Sequence, residues 1–127
     1  MPRPGDRARE TLGPAQRLRR TGQFREAYDQ NRSWHGRLMV LFLRSGPDAS
    51  TRLGVVASRK VGNAVERARA KRRLREAFRR HRGAFAASTD DVVLIARRPI
   101  LNAPWNRVVD ELLKLAGRAG LIPSSRP

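Results

Sequence analysis

Residues 64–82, AVERARAKRRLREAFRRHR, constrain the fold more than any other stretch, because nine Lys and Arg lie between Arg67 and Arg82 on a segment that still carries an apolar residue every three or four positions. At about 100° per residue, Ala70, Leu74, Ala77, Phe78 and His81 fall on one narrow stripe. The segment must therefore be a helix docked by that stripe onto a core that other segments supply. Lys71, Arg72, Arg75, Arg79 and Arg82 occupy the neighbouring sector. Arg67 marks the seam, and Arg69, Arg73 and Arg80 lie further round. Solvated helix faces alternate sign, since like charges four residues apart destabilise the helix. Arg67, Lys71, Arg75 and Arg79 follow that spacing with no acid among them, and only Glu66 and Glu76 oppose the helix's cations. The pattern points to a face that binds phosphate.

The flanking sequence sets the helix ends. Val61-Gly62-Asn63 breaks a preceding strand, and Asn63 with Glu66 three residues on has the form of a capping box, Glu66 also favouring the positive end of the helix dipole. The helix is predicted to run to about Arg82 and stop at Gly83. Upstream, Thr21 is placed as the cap of a short helix with Phe24, Ala27 and Tyr28 on one face. RLMVLFLR (37–44) reads as a strand, SGPDAST (45–51) as a turn and RLGVVAS (52–58) as the returning strand of a hairpin, with a further short strand near Trp34. DVVLIARR (91–98) is a buried strand closed by Pro99. Pro104 opens a last helix in which Trp105, Val108, Val109, Leu112, Leu113 and Ala116 keep the helical period, ending near Gly117 or Gly120. The order is α, two or three strands, α, β, α, an α+β layer of helices on a small mixed sheet. Residues 1–16 read as a mobile basic lead-in, 17–119 as one domain and 120–127 as a tail.

Both faces of RLMVLFLR are apolar. Most of these side chains suit a central strand covered on both sides. Val40 and Phe42, with Phe24 and Tyr28, also suit a partly open groove, because unpaired RNA bases stack on aromatic rings while cations follow the backbone.

The chain of 127 residues has a formal net charge of +17, from 28 Lys and Arg against 11 Asp and Glu. Such a surface repels itself unless a polyanion offsets it, which favours nucleic acid as partner. Of the 28 cations 25 are Arg, whose planar fork suits phosphate and bases. Leu38–Leu43 is far shorter than the roughly 18 residues of a spanning helix, and MPRPGDRARE lacks the apolar core of a secretory signal. The expectation is a soluble, cytoplasmic protein with neither membrane nor small-molecule partner. Cysteine is absent, and His35 and His81 have no metal-ligand spacing, so neither a disulfide nor a bound metal is expected. Asp90-Asp91 read as turn residues and Asp110-Glu111 as the exposed side of a helix. No catalytic residue is assigned.

The stretch Arg52–Arg79, RLGVVASRKVGNAVERARAKRRLREAFR, resembles the signature of the bacterial ribonuclease P protein subunit. In that family a strand of the form R-x-G-x-x-x-S leads into K-x-G-N-A-V and a helix reading R-N-R-x-K-R-x-x-R-E. Lys60 to Val65 match, and Arg67, Arg69, Lys71, Arg72, Arg75 and Glu76 fall on the charged positions. Ala68 stands where the family has Asn, so no role is carried to it. RLRRTGQFREAY (17–28) and VVLIARRP (92–99) resemble the family's first helix and last strand.

The resemblance implies three helices on a four-stranded mixed sheet in the order α-β-β-β-α-β-α, the basic helix joining two parallel neighbouring strands by a left-handed crossover. Periodicity would not suggest that handedness, since about 98% of such connections are right-handed. It implies a subunit of an endoribonuclease that removes the 5′ leader of precursor tRNA. The RNA subunit would carry the chemistry with Mg²⁺, and the protein would bind no cofactor itself. Arg59, Lys60, Asn63, Arg67, Arg69, Lys71, Arg72, Arg75 and Arg79 would contact that RNA. Phe24, Tyr28, Val40, Phe42 and Arg52 would line the leader groove. A ribosomal or other structural RNA-binding protein is the alternative on size and charge.

Overall fold

The structure, a computed structural model, describes residues 17–18, 20–85 and 89–122. The expected mobile segment 1–16 lies outside them. Helix α1 spans Thr21–Gln30, and strands β1, β2 and β3 span Arg32–His35, Met39–Arg44 and Leu53–Val56. The basic helix α2 is Ala64–Arg80, β4 is Asp91–Ala96 and α3 is Trp105–Arg118. Three helices thus stand on one four-stranded mixed sheet, and the short strand at Trp34 is present as β1. Two local expectations shift. Thr21 is the first helical residue of α1 rather than its cap, and Arg20 before it makes no side-chain capping bond. Helix α2 ends at Arg80, and Arg82–Ala84 tighten into a 3₁₀ turn.

The sheet order is β1-β2-β4-β3, with β3 parallel to β4 and the other neighbours antiparallel. The expected hairpin of β2 with β3 is therefore absent, because β4 lies between them. The reason is burial. Val92, Val93 and Leu94 of β4 are all 0% exposed, so this strand needs cover on both faces and a neighbour on both edges. Strand spacing is about 4.8 Å, so the connection after β2 need cross only about 10 Å to step over the end of β4. The true hairpin joins β1 to β2. Its turn is held by Glu111 of α3, whose carboxylate accepts the backbone N–H groups of Arg37, Leu38 and Met39 at 2.9, 2.7 and 2.9 Å. Gly36 leaves room for it, since a Cβ there would lie within 2.8 Å of both carboxylate oxygens. Glu111 thus binds backbone rather than facing solvent as expected.

One sheet face, with Met39, Leu41, Leu43, Leu53, Val92 and Leu94, packs against α2 and α3 in a single core that reaches Leu121. Helix α2 contributes Ala70, Leu74, Ala77 and Phe78, all buried, while His81 sits at its C-cap with Nδ1 2.8 Å from the Ala77 carbonyl. Burying Leu74 and Phe78 stabilises by about 1.5–3 kcal/mol each. The three like-charge pairs 67/71, 71/75 and 75/79 cost about 0.2–0.5 kcal/mol each. Docking wins. The opposite sheet face carries α1 through Leu18, Ala27 and Val93, with Phe24, Phe42, Val56 and Ile95 partly buried against them.

A buried ion cluster fastens α1 to the sheet. Arg44 is 3% exposed and Asp91 is 0% exposed, and Arg44 Nη1 donates to Asp91 Oδ2 at 2.7 Å. Arg44 also donates to Glu26 of α1 at 2.9 Å and to Asp48 at 2.8 Å, and Gln23 of α1 donates to Asp48 at 3.1 Å. The N–H groups of Ser50 and Arg52 close the loop onto Asp91 at 3.1 and 2.9 Å. Asp91 is thus the first residue of a central strand and the anchor of this cluster, not a turn residue. Burial opposes its ionisation, but hydrogen bonds from Arg52, Ser50 and Arg44 outweigh that and hold its carboxyl below the usual range.

Asp91→Asn is expected to lower stability at pH 7 by about 1–3 kcal/mol, since it removes the buried carboxylate shared by Arg44 and Arg52 while Glu26 and Asp48 remain on Arg44. A carboxyl depressed in the folded state stabilises above its unfolded pKa, about 3.9, and loses that contribution as pH falls through the folded value. The stability difference between the two proteins in urea unfolding should therefore begin to shrink near about pH 4 and close only below the folded pKa of Asp91.

Candidate nucleic-acid interface

The interface is built on α2, and its first turn is fixed by the expected capping box. Asn63 Oδ1 accepts the Glu66 N–H at 2.8 Å and Glu66 Oε1 accepts the Asn63 N–H at 2.9 Å. Asn63, one of the expected RNA contacts, thus holds the helix start with its side-chain oxygen. Arg59 and Lys60 are exposed in the turn just before it. Val65 is 77% exposed on the same turn, and Ala68 presents a methyl group to solvent.

The arginines of α2 divide into two sets. Arg69 donates to the Leu101 carbonyl at 2.7 Å, and Arg73 donates to those of Ile100 and Ala103, the latter at 2.7 Å. Arg98 returns the contact by donating to the Val61 carbonyl at 2.8 Å. These groups lace α2 to the turn that follows β4. Arg79 is paired with Glu76 at 2.8 Å. By contrast Arg67, Lys71, Arg72 and Arg75 form no ion pair among the described residues. Arg67 is half-buried with its Nε shielded from solvent and without a hydrogen-bond partner there. Burial, and then the neighbouring charge of Arg17, lower the pKa of Arg75 from the ordinary arginine value. A phosphate is the kind of group that relieves both conditions.

The aromatic groove lies on the other face of the sheet. The Tyr28 ring meets Phe42 edge-on at 5.2 Å and 76°, and Tyr28 is 36% exposed. Phe24 rests on Gly54, where a Cβ would come within 2.6 Å of the ring. The glycine is there to admit the ring. Phe24, Tyr28 and Phe42 are thus brought together, while Val40, two residues before Phe42 on the same face of β2, is buried in register with Ile95. Arg52 turns its guanidinium onto Asp91 and the Asp48 carbonyl, both at 3.0 Å. The sheet separates these rings from the α2 cations, so the groove is not beside the basic helix. Arg17, paired with Leu53 at the β3 edge and close enough to Arg75 to perturb it, bridges the two sides.

Four acids gather at the ion cluster, but Arg44, Arg52 and Arg32 already fill it, so its donor set does not fit a metal ion. Among the described residues no group of three or more His, Asp or Glu side chains could hold one, and no helix is long and apolar enough to cross a membrane. Three contributions escaped the sequence reading: the Arg44–Asp91 pair, the carbonyl clamps of Arg69 and Arg73, and the Glu111 bond to the hairpin turn. Only the first had a signal, a charge at the end of each apolar strand.

A helix whose cations Arg67, Lys71, Arg72 and Arg75 lack ion pairs among the described residues on one sheet face, and clustered aromatic rings on the other, are the features of an RNA-binding α+β domain. The ribonuclease P family model matches residues 12–120. The ribonuclease P protein component of Chloroflexus aurantiacus is 36% identical over 110 residues, covering 87% of this chain and 82% of that one. The RNase P protein of Staphylococcus aureus superposes with a TM-score of 0.73 at 28% identity, over 85% of this chain and 98% of that one. That of Thermotoga maritima gives 0.70 at 31% identity, over 80% and 96%. The chain belongs to the ribonuclease P protein family, whose members are components of an endoribonuclease that processes tRNA.

The two sets of arginines separate in a stability measurement. Arg69→Ala should lose about 1–3 kcal/mol in urea unfolding by leaving the Leu101 carbonyl without its charged donor. Arg72→Ala, at an exposed position, should stay within about 0.5 kcal/mol of the parent.

Proposed function

We propose that this protein is the RNA-binding subunit of a cytoplasmic ribonuclease P, holding the catalytic RNA through α2 and the 5′ leader of precursor tRNA in the α1 groove. The observation that carries the reading is the set Arg67, Lys71, Arg72 and Arg75, cations without ion pairs among the described residues on a helix otherwise fully engaged. Nucleic-acid phosphates supply the missing counter-charge. Family membership and the fold support the same role. Asn63 and Arg69 act here by shaping α2, and Arg59, Lys60 and Arg79 lie at the margins of the contact.

On the groove side, leader bases stack on Tyr28 and Phe42, with Phe24 beneath them and Val40 as floor. Arg52 serves by fastening the loop that borders the groove. Hydrolysis of the phosphodiester bond belongs to the RNA, and the expected Mg²⁺ is held by RNA oxygens. The protein's part is electrostatic. It offsets repulsion between two RNAs and so lowers the Mg²⁺ the reaction requires.

Reconstitution tests this directly. Protein mixed with the RNA subunit should restore leader cleavage at low Mg²⁺, and protein alone should cleave nothing. Cleavage at the mature 5′ end by protein without RNA would overturn the assignment. In the same assay Tyr28→Ala or Phe42→Ala should weaken precursors with a long leader more than leaderless tRNA. Equal losses on both would make these rings packing groups only. For the α2 face, Lys71→Ala and Arg75→Ala should each flatten the slope of log K against log salt by about 0.7–0.9. Titrations of the RNA subunit across a salt series measure it, and an unchanged slope would remove both residues from the contact.

A further inference from the structure

Arg72, Arg73, Glu76 and Arg80 of α2 and Trp105 of α3 line an open pocket of about 260 Å³ on the outer side of the seam between the two helices. The helical period places Trp105 with the core residues of α3, yet it is only half-buried and its ring forms the pocket wall. The guanidinium carbons of Arg73 and Arg80 stand 5.9 and 5.5 Å from the ring centroid. Arg73 is immobilised by its bonds to the Ile100 and Ala103 carbonyls. Arg80 is not. Its side chain is 56% exposed and is tied to Glu76 by a long 3.3 Å contact, so it can yield its place on the ring.

Three cations and one acid therefore surround an accessible indole. A cation satisfies such a ring in part, but an unpaired base covers it more fully, and its flanking phosphates need cations at the rim. We propose that this pocket receives one unpaired nucleotide of the RNA subunit, its base on Trp105 and its phosphates on Arg72 and Arg80. The inference rests on the reading of α2 as the RNA face. The RNA subunit rather than the leader is the source, because the pocket lies on the α2 side of the sheet and the aromatic groove on the other.

The chain has two tryptophans, so Trp34→Phe leaves Trp105 as the only indole. In that variant a uridine decamer at low salt should quench the emission, whereas inorganic tripolyphosphate, which brings charge without a base, should not. Adding the RNA subunit should quench it too. In the otherwise native chain Trp105→Leu should weaken RNA-subunit binding about tenfold, and Trp105→Phe should recover most of the loss. Decamer binding seen by anisotropy with unchanged emission, or equal quenching by tripolyphosphate, overturns the pocket and leaves the α2 reading intact. No decamer binding at all overturns the pocket, and failure of the native chain to bind the RNA subunit removes the α2 reading with it. Quenching that appears only on adding precursor tRNA to the assembled enzyme overturns the RNA subunit as source.

Discussion

Docking of α2 through Ala70, Leu74, Ala77 and Phe78 is the contact on which everything else depends. A helix with so little acid to balance its cations would fray in water, but its buried stripe outweighs the repulsion several-fold. The repulsion is retained rather than relieved, because the acids that could quench it are engaged elsewhere. Glu26, Asp48 and Asp91 surround Arg44, Glu66 closes the capping box, Glu76 holds Arg79 and Arg80, and Glu111 binds a hairpin turn. These acids are thus taken up by other contacts, which leaves Arg67, Lys71, Arg72 and Arg75 without an ion pair among the described residues.

Much of this was legible from residue types and spacing. The period of α2, the Asn63–Glu66 box and the apolar run of β4 each depend on local rules, and each stands in the structure. Strand order is a different kind of information. A connection such as SGPDAST serves a tight hairpin or a step over a neighbouring strand equally well, and only the demand of β4 for cover on every side decides between them. Long-range charge pairs are hidden for the same reason. Asp91 looks like a turn residue until Arg44 is found opposite it in register.

The candidate site was legible as a set of residues but not as a division of labour. Spacing cannot say that Arg69 reaches the Leu101 carbonyl while Arg72 reaches solvent, because the turn it contacts lies about thirty residues downstream, beyond any local pattern. Nor can it place Phe24, Tyr28 and Phe42 on the far side of the sheet from α2. That separation gives the domain two distinct faces, one cationic and one aromatic, with Arg17 at the β3 edge between them.

Arginine footprinting with phenylglyoxal, read by mass spectrometry with and without the RNA subunit, tests the central claim most directly. Arg44 is buried and serves as the unreactive internal standard. The account predicts that Arg67, Arg72 and Arg75 react in the free protein and are protected in the complex. Protection elsewhere on the chain, with these three reacting as fast as before, would contradict it.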